Sequence, residues 1–233
     1  MTGAASRAEQ AQAAALLRDA YAVLRSDDFQ RNLLTLERRY PEVYANRRTG
    51  EVPLARVAAW TANETWGSRY APLDVELVGG ADARDPRREH ASAGGYIETG
   101  VYAGMSLGRA HLDQYASDDQ VERSCAVNVA AHELAHTISV TPFFFTNAFT
   151  DTTTGESRIP DRALAATPVA SYLIGAVAQC TWLARQGRVA PDEVGACVEV
   201  FGTRSMNWLR CGAFAAGGPV APRAGLPPAM PPL

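Results

Sequence analysis

The sequence predicts an α+β protein in which helical sections at both ends flank a small sheet. The evidence is a change of pattern along the chain. The first 70 residues carry alanine and leucine at helical spacing, residues 72–112 alternate and contain glycines as strands do, and long apolar helical runs follow. The length of 233 residues suits one domain over 1–212, and the Pro/Gly-rich residues 213–233 are predicted to be a disordered tail.

The N-terminal section, about 7–70, is predicted to contain three helices. Residues 7–25 place leucine, valine and alanine on one helical face. Asp27 or Asp28 is expected to cap a second helix, and residues 54–70 are expected to form the third.

The sheet is predicted over about 72–112. Its first strand is the alternating stretch that begins at Leu73 and stops at two glycines. Two further runs, 96–102 and 105–112, are separated by small residues, and their glycine content favours a twisted or edge pairing over a central strand. His111 then lies on this edge strand, where lining a cleft is favoured over binding a metal.

A central helix is predicted over about 118–140. Ser117 and Gln120 fit a capping box at its start, and Pro142 limits its end. Its apolar residues recur at helical spacing, so we expect it to be buried on most sides. They are Val127, Ala131, Leu134 and Ile138.

The C-terminal part is predicted to begin with a hairpin or ordered loop that turns at residues 152–155. A helical section follows over about 160–212. It contains a long apolar helix, interrupted near Pro168 and ending near Arg185, and a shorter helix with Pro191 at its first position.

Composition excludes two classes of partner. A net charge of −3 and a pI near 5.8 give no electrostatic basis for binding nucleic acid. The most apolar stretch, 163–183, is interrupted by Pro168 and Gln179, so we interpret it as a buried helix and expect no membrane span. Oligomeric state has no signal in the sequence.

The four cysteines, Cys125, Cys180, Cys197 and Cys211, show no CxxC spacing, so a thiolate zinc site is not expected. The cysteines could form two disulfides, in any of three pairings, or remain as buried free thiols. The even count favours a secreted or extracytoplasmic protein, although the N-terminus has no apolar segment typical of a signal peptide; a cytoplasmic protein is the alternative.

Residues 132–136 carry the strongest chemical signal, His-Glu-Leu-Ala-His. Residues i and i+4 share a helical face, so His132 and His136 can direct their imidazoles at one point, as two ligands of Zn²⁺. Glu133 follows about 100° around the helix axis, which places its carboxylate beside a zinc-bound water as general base. Chance would produce this pattern in roughly one of a few hundred such sequences.

This motif resembles the H-E-x-x-H signature of the zincin metallopeptidases. The resemblance extends to the glycine-bearing β segment (94–112) before the motif helix and to the helical part after it. It implies that His132 and His136 are zinc ligands and that Glu133 is the general base of peptide hydrolysis. The subfamily is not identified, but the absence of a histidine after His136 favours a gluzincin-like or aspzincin-like site.

The third ligand is then an acid downstream of the motif. Asp161, at the start of the long apolar helix, ranks slightly above Glu156, which has thermolysin-like spacing but follows a predicted turn. Asp151 ranks lower. Each has a structural alternative, as a helix-start acid or a turn residue.

The resemblance therefore predicts a zinc metallopeptidase that acts on a peptide or protein substrate, and the even cysteine count adds the expectation that it is secreted. Tyr172 and Arg204 are candidates, by residue type alone, for stabilising the oxyanion of the transition state. A zincin-scaffold enzyme acting on a small amide or ester is one alternative, and a non-catalytic metal-binding module is another.

Overall fold

The computed structural model describes residues 5–40, 43–44, 51–63, 73–78, 92–96, 102–136, 139–141, 144–147, 170–202 and 211. Most of the described residues are helical and the sheets are small, which confirms the α+β class. The elements in chain order are α1 (Arg7–Leu24), α2 (Asp27–Thr35), β1 (Val43–Tyr44), β2 (Glu51–Val52), α3 (Leu54–Asn63), β3 (Leu73–Val78), β4 (Ser92–Tyr96), β5 (Tyr102–Gly108), α4 (Arg109–Ala116), α5 (Gln120–His136), β6 (Ser139–Thr141), β7 (Phe144–Asn147), α6 (Ala170–Arg185), the 3₁₀ turn Pro191–Glu193 and α7 (Val194–Phe201).

Serine side chains start the first two helices. Ser6 forms a capping box with Glu9, in which each side chain accepts a hydrogen bond from the other residue's backbone N–H. Ser26 caps α2 by accepting from the backbone N–H of Phe29 at 3.2 Å. The predicted cap at Asp27 or Asp28 is therefore wrong; both acids lie in the first turn, where the helix dipole favours negative charge.

The main sheet has the strand order β3-β5-β4 among the described strands. The central strand β5 runs parallel to β3 and antiparallel to β4. The predicted run 105–112 is thus only partly a strand: β5 ends at Gly108 and α4 begins at once. The expectation of a twisted or edge pairing in place of a central strand is wrong for β5, which is central among the described strands. The edges are β3 and β4, and β4 carries Gly94 and Gly95.

The helix α5 lies at the centre of the fold and packs on α1, α4, α6 and β4. Its start is set by Asp119, whose carboxylate accepts from the backbone N–H of Val121 at 2.8 Å. The predicted capping box at Ser117 is wrong, because Ser117 closes α4. As predicted, α5 is buried on most sides.

The chain becomes extended soon after α5 ends. Residues 139–141 form β6 and pair with β7, so the helix stops short of the predicted residue 140. Their β-branched side chains at 140 and 141 favour strand over helix. The predicted turn at 152–155 lies outside the described residues.

Two disulfides hold the C-terminal part, one to the central helix α5 and one between its own helices. Cys125 of α5 is bonded to Cys211, and Cys180 of α6 to Cys197 of α7. Residues 170–183 are all buried, as predicted for the apolar helix. In the part of the chain that the structure describes, no helix has the length and apolar character needed to cross a membrane. Two disulfides are typical of proteins from an extracellular environment.

Candidate metal centre

The last two turns of α5 bring His132, Glu133 and His136 together. All three side chains are buried, with 6%, 6% and 7% of their surface exposed. The helix places the two histidines four residues apart on one face and the glutamate on the adjacent face. Alanines at 130, 131 and 135 let neighbouring elements pack closely around this end of the helix.

The two imidazoles converge on a common point. Nε2 of His132 lies 3.2 Å from Nε2 of His136, and the rings are nearly perpendicular, with centroids 4.8 Å apart. Oε1 of Glu133 lies 3.9 Å from Nε2 of His132. The potential ligand atoms of the three residues all lie within 4.8 Å of one another.

This spacing fits a shared metal ion. Two nitrogens bound to one tetrahedral Zn²⁺ at bonds of about 2.0–2.1 Å are about 3.3 Å apart. The observed 3.2 Å is close to that separation. A hydrogen bond from one ring N–H to the other ring's nitrogen fits the same distance. The group His132, Glu133 and His136 could therefore bind a metal ion, and its geometry alone does not identify the metal.

A cation bound at this point would offset part of the desolvation of the buried Glu133. A carboxylate that leaves water loses hydration free energy unless hydrogen bonds or positive charge compensate for it. A divalent ion held by His132 and His136 would place that charge beside Oε1 of Glu133. Protonation of an imidazole would supply a smaller positive charge in the same place.

Tyr172 reaches the same group from the first turn of α6. Its ring lies against the imidazole of His132, with centroids 4.4 Å apart and ring planes tilted by 57°. The side chain is 7% exposed. Sequence reasoning selected Tyr172 by residue type alone, and the structure places it beside the histidine motif.

His111 is not where the sequence predicted it. The residue lies in α4 and not on an edge strand, because β5 has already ended. Its Nδ1 lies 3.0 Å from Oε1 of Gln114, whose amide donates to the backbone carbonyl of Cys211 at 2.9 Å. His111 does not belong to the cluster of ligand atoms around His132.

The predicted third ligands, Asp161 and Glu156, lie outside the described residues, as do Asp151 and Arg204. Within the described ranges, the histidine motif is the sole grouping of three or more His, Cys, Asp or Glu residues suited to a metal ion. The identity of the third ligand thus stays a prediction.

Sequence reasoning did not find the residues that hold α5 against α6. Asn128 and Gln179 form a buried hydrogen bond, and Gly175 lies against Asn128 and His132. A glycine inside an apolar helical run was the available signal, since glycine there costs helix stability and suggests a packing reason. The amide pair had no signal, because its partners are 51 residues apart.

Comparison with protein-family models finds no match for this chain. Searches against curated proteins and against solved structures also give no significant match.

Proposed function

We propose that this protein is a zinc-dependent metallopeptidase of the zincin type. The observation that carries the proposal is the 3.2 Å separation of the two Nε2 atoms, beside the buried carboxylate of Glu133. Together with the H-E-x-x-H sequence, this supports His132 and His136 as zinc ligands and Glu133 as the base.

When bound, zinc would supply a Lewis acid that lowers the pKa of water toward neutrality and polarises the scissile carbonyl. Glu133 takes a proton from the attacking water and passes it to the leaving amine as the C–N bond breaks. Its position, 3.9 Å from Nε2 of His132, leaves the carboxylate near the ligands. Burial strengthens its interaction with the transferred proton, because the surroundings have a low dielectric constant.

Two further roles complete the proposed site. Asp161 is the proposed third ligand, with Glu156 as the next candidate. Tyr172, at the ring of His132, is the proposed donor to the oxyanion that forms on the carbonyl oxygen.

The proposed substrate is an extended peptide or protein segment. β4 packs against α5 and, among the described strands, pairs with β5 on one side only. A peptide could therefore add to the sheet at β4 and pass close to the motif helix.

Two measurements on the purified chain test the function. Metal analysis by mass spectrometry should find one zinc per chain; a protein without stoichiometric zinc would contradict the proposal. Glu133→Gln should keep its zinc but lose cleavage of an unstructured protein such as casein, and a fully active variant would exclude Glu133 as the base. Turnover of small esters or amides without proteolysis would favour the alternative enzyme, and bound zinc without any turnover would favour a non-catalytic module.

A further inference from the structure

Helix α6 approaches α5 at Gly175 so closely that no side chain would fit there. A Cβ atom at this position would lie 2.4 Å from Oδ1 of Asn128, 3.0 Å from its backbone oxygen and 3.2 Å from Cβ of His132. In an α-helix, the carbonyl of residue 128 accepts the hydrogen bond of the N–H at residue 132. Gly175 therefore lies against the peptide group that holds the backbone of His132.

One turn earlier on α6, Tyr172 covers the ring of the same histidine. The 4.4 Å separation of the ring centroids is a close contact for two aromatic rings. The imidazole of His132 is thus confined on one side by Tyr172 and on another by the ring of His136, whose centroid is 4.8 Å away.

One turn later on α6, Gln179 fixes how far the two helices slide along each other. Its Oε1 accepts from Nδ2 of Asn128 at 2.6 Å, and its Nε2 donates to Oγ of Ser124 at 3.0 Å. All three residues are fully buried. A shift of either helix would break these hydrogen bonds inside the protein, where water cannot replace them.

The side-chain oxygen of Asn128 lowers the stability of this interface. Its Oδ1 is buried against Gly175 and, among the described residues, accepts no hydrogen bond. A buried carbonyl oxygen without a donor lowers stability. This loss of stability occurs at Asn128, one turn before His132, and the amide of the same residue sets the register between α5 and α6.

We propose that Tyr172, Gly175 and Gln179, here named the α6 stripe, are positioning residues that hold the imidazole of His132 for metal binding. The stripe follows one face of α6 at spacings of three and four residues and meets Ser124, Asn128 and His132 on α5. This inference rests on the proposed metal function and adds that α6 determines how well the metal is held.

The test compares zinc affinity among four variants by competition with a chromophoric chelator. Tyr172→Leu removes the ring and Tyr172→Phe keeps it. Gly175→Ala introduces the clash with Asn128. In the matched control Gly195→Ala on α7, the added Cβ would contact only Cδ2 of Leu36 within the described part of the chain, at an ordinary 3.6 Å. Residues that orient a metal ligand contribute about 10–100-fold to affinity, so Tyr172→Leu and Gly175→Ala should lose that much. Tyr172→Phe and Gly195→Ala should bind zinc like the wild type.

A second readout works without metal and separates the two proposals. ¹³C relaxation at the Cε1–H bond of His132, assigned with His132→Gln, reports the mobility of the imidazole. Mobility should rise in Tyr172→Leu and stay low in Tyr172→Phe. If Gly175→Ala does not fold, the comparison of Tyr172→Leu with Tyr172→Phe tests the positioning role.

The outcomes are distinguishable. A wild type that binds zinc, with Tyr172→Leu equal to it in affinity and mobility, would overturn the positioning role and leave the metal function standing. A wild type that binds no zinc would overturn the metal function, and the imidazole mobility would still decide whether Tyr172 positions His132.

Discussion

The side-chain amide of Asn128 donates a 2.6 Å hydrogen bond to Gln179 across the buried interface between α5 and α6. Gln179 also donates to Oγ of Ser124, so a chain of hydrogen-bonded polar side chains crosses the buried interface. Buried polar pairs of this kind specify one alignment of two helices, because every other alignment leaves polar groups without partners. The motif that contains His132 is four residues further along the same helix.

The first prediction concerns this hydrogen bond. Gln179→Met keeps the approximate volume but removes the acceptor, so the amide of Asn128 should lose its partner at a cost of about 1–3 kcal/mol in unfolding free energy. Adding Asn128→Leu also removes the donor. The double variant should therefore be more stable than the sum of the two single changes implies. Urea denaturation of the four proteins measures this coupling, and additive effects would contradict it.

A control for this double-mutant cycle uses a hydrogen bond on another face of α6. Oγ1 of Thr181 accepts from Nδ2 of Asn32 at 3.0 Å, which links α6 to α2 and not to α5. Thr181→Val should also lower stability, by about 0.5–1.5 kcal/mol. It should leave zinc affinity unchanged, whereas Gln179→Met should reduce it.

The second prediction is a pH dependence at the start of α1. Hydrogen bonds from the backbone N–H and then the hydroxyl of Ser6, together with Arg109, lower the pKa of Glu9 to about 2. Because the folded pKa lies below the ordinary glutamate pKa of 4.5, Glu9 stabilises the fold above pH 4.5, and this contribution is lost as pH falls toward 2. Glu9→Gln should therefore be less stable than wild type at pH 7 and equal to it near pH 2.

Ser6→Ala is a second variant that tests the same pH dependence. It keeps the backbone donor to Glu9 and removes the hydroxyl, so it should show a smaller version of the same pH-dependent difference. Chemical denaturation at a series of pH values measures both variants. A difference between Glu9→Gln and wild type that does not change between pH 5 and 2 would contradict the assignment.

The third prediction ranks the two disulfides. Cys125–Cys211 spans 86 residues and Cys180–Cys197 spans 17. In the chain-entropy model, these spans correspond to about 4–5 and about 3 kcal/mol of stabilisation. Replacing the first pair with alanines should lower the thermal midpoint more than replacing the second pair. The reverse order would show that the bond between α6 and α7 contributes through native packing and not through chain entropy.

The sequence was most informative where a pattern is local. The α+β class, the apolar face of α1, the strand β3 and the histidine pair could all be predicted, because each depends on spacing within a few residues. The helix starts near Ser26 and Asp119 were misassigned, because several neighbouring acids and hydroxyls could each cap. The contact of Tyr172 with His132 depends on tertiary packing between residues 40 positions apart, which periodicity does not encode.

The last prediction concerns the third zinc ligand. Asp161 and Glu156 both precede α6 in the sequence, and the first turn of α6 places Tyr172 at the ring of His132. We expect Asp161→Ala to weaken zinc binding by more than about 100-fold, because loss of a ligand should exceed the loss of a residue that only orients one. Glu156→Ala should bind zinc like the wild type. Chelator competition measures both constants, and circular dichroism of the metal-free variants checks that they fold. The reverse pattern would assign the ligand to Glu156, and unchanged affinity in both would place it elsewhere in the chain.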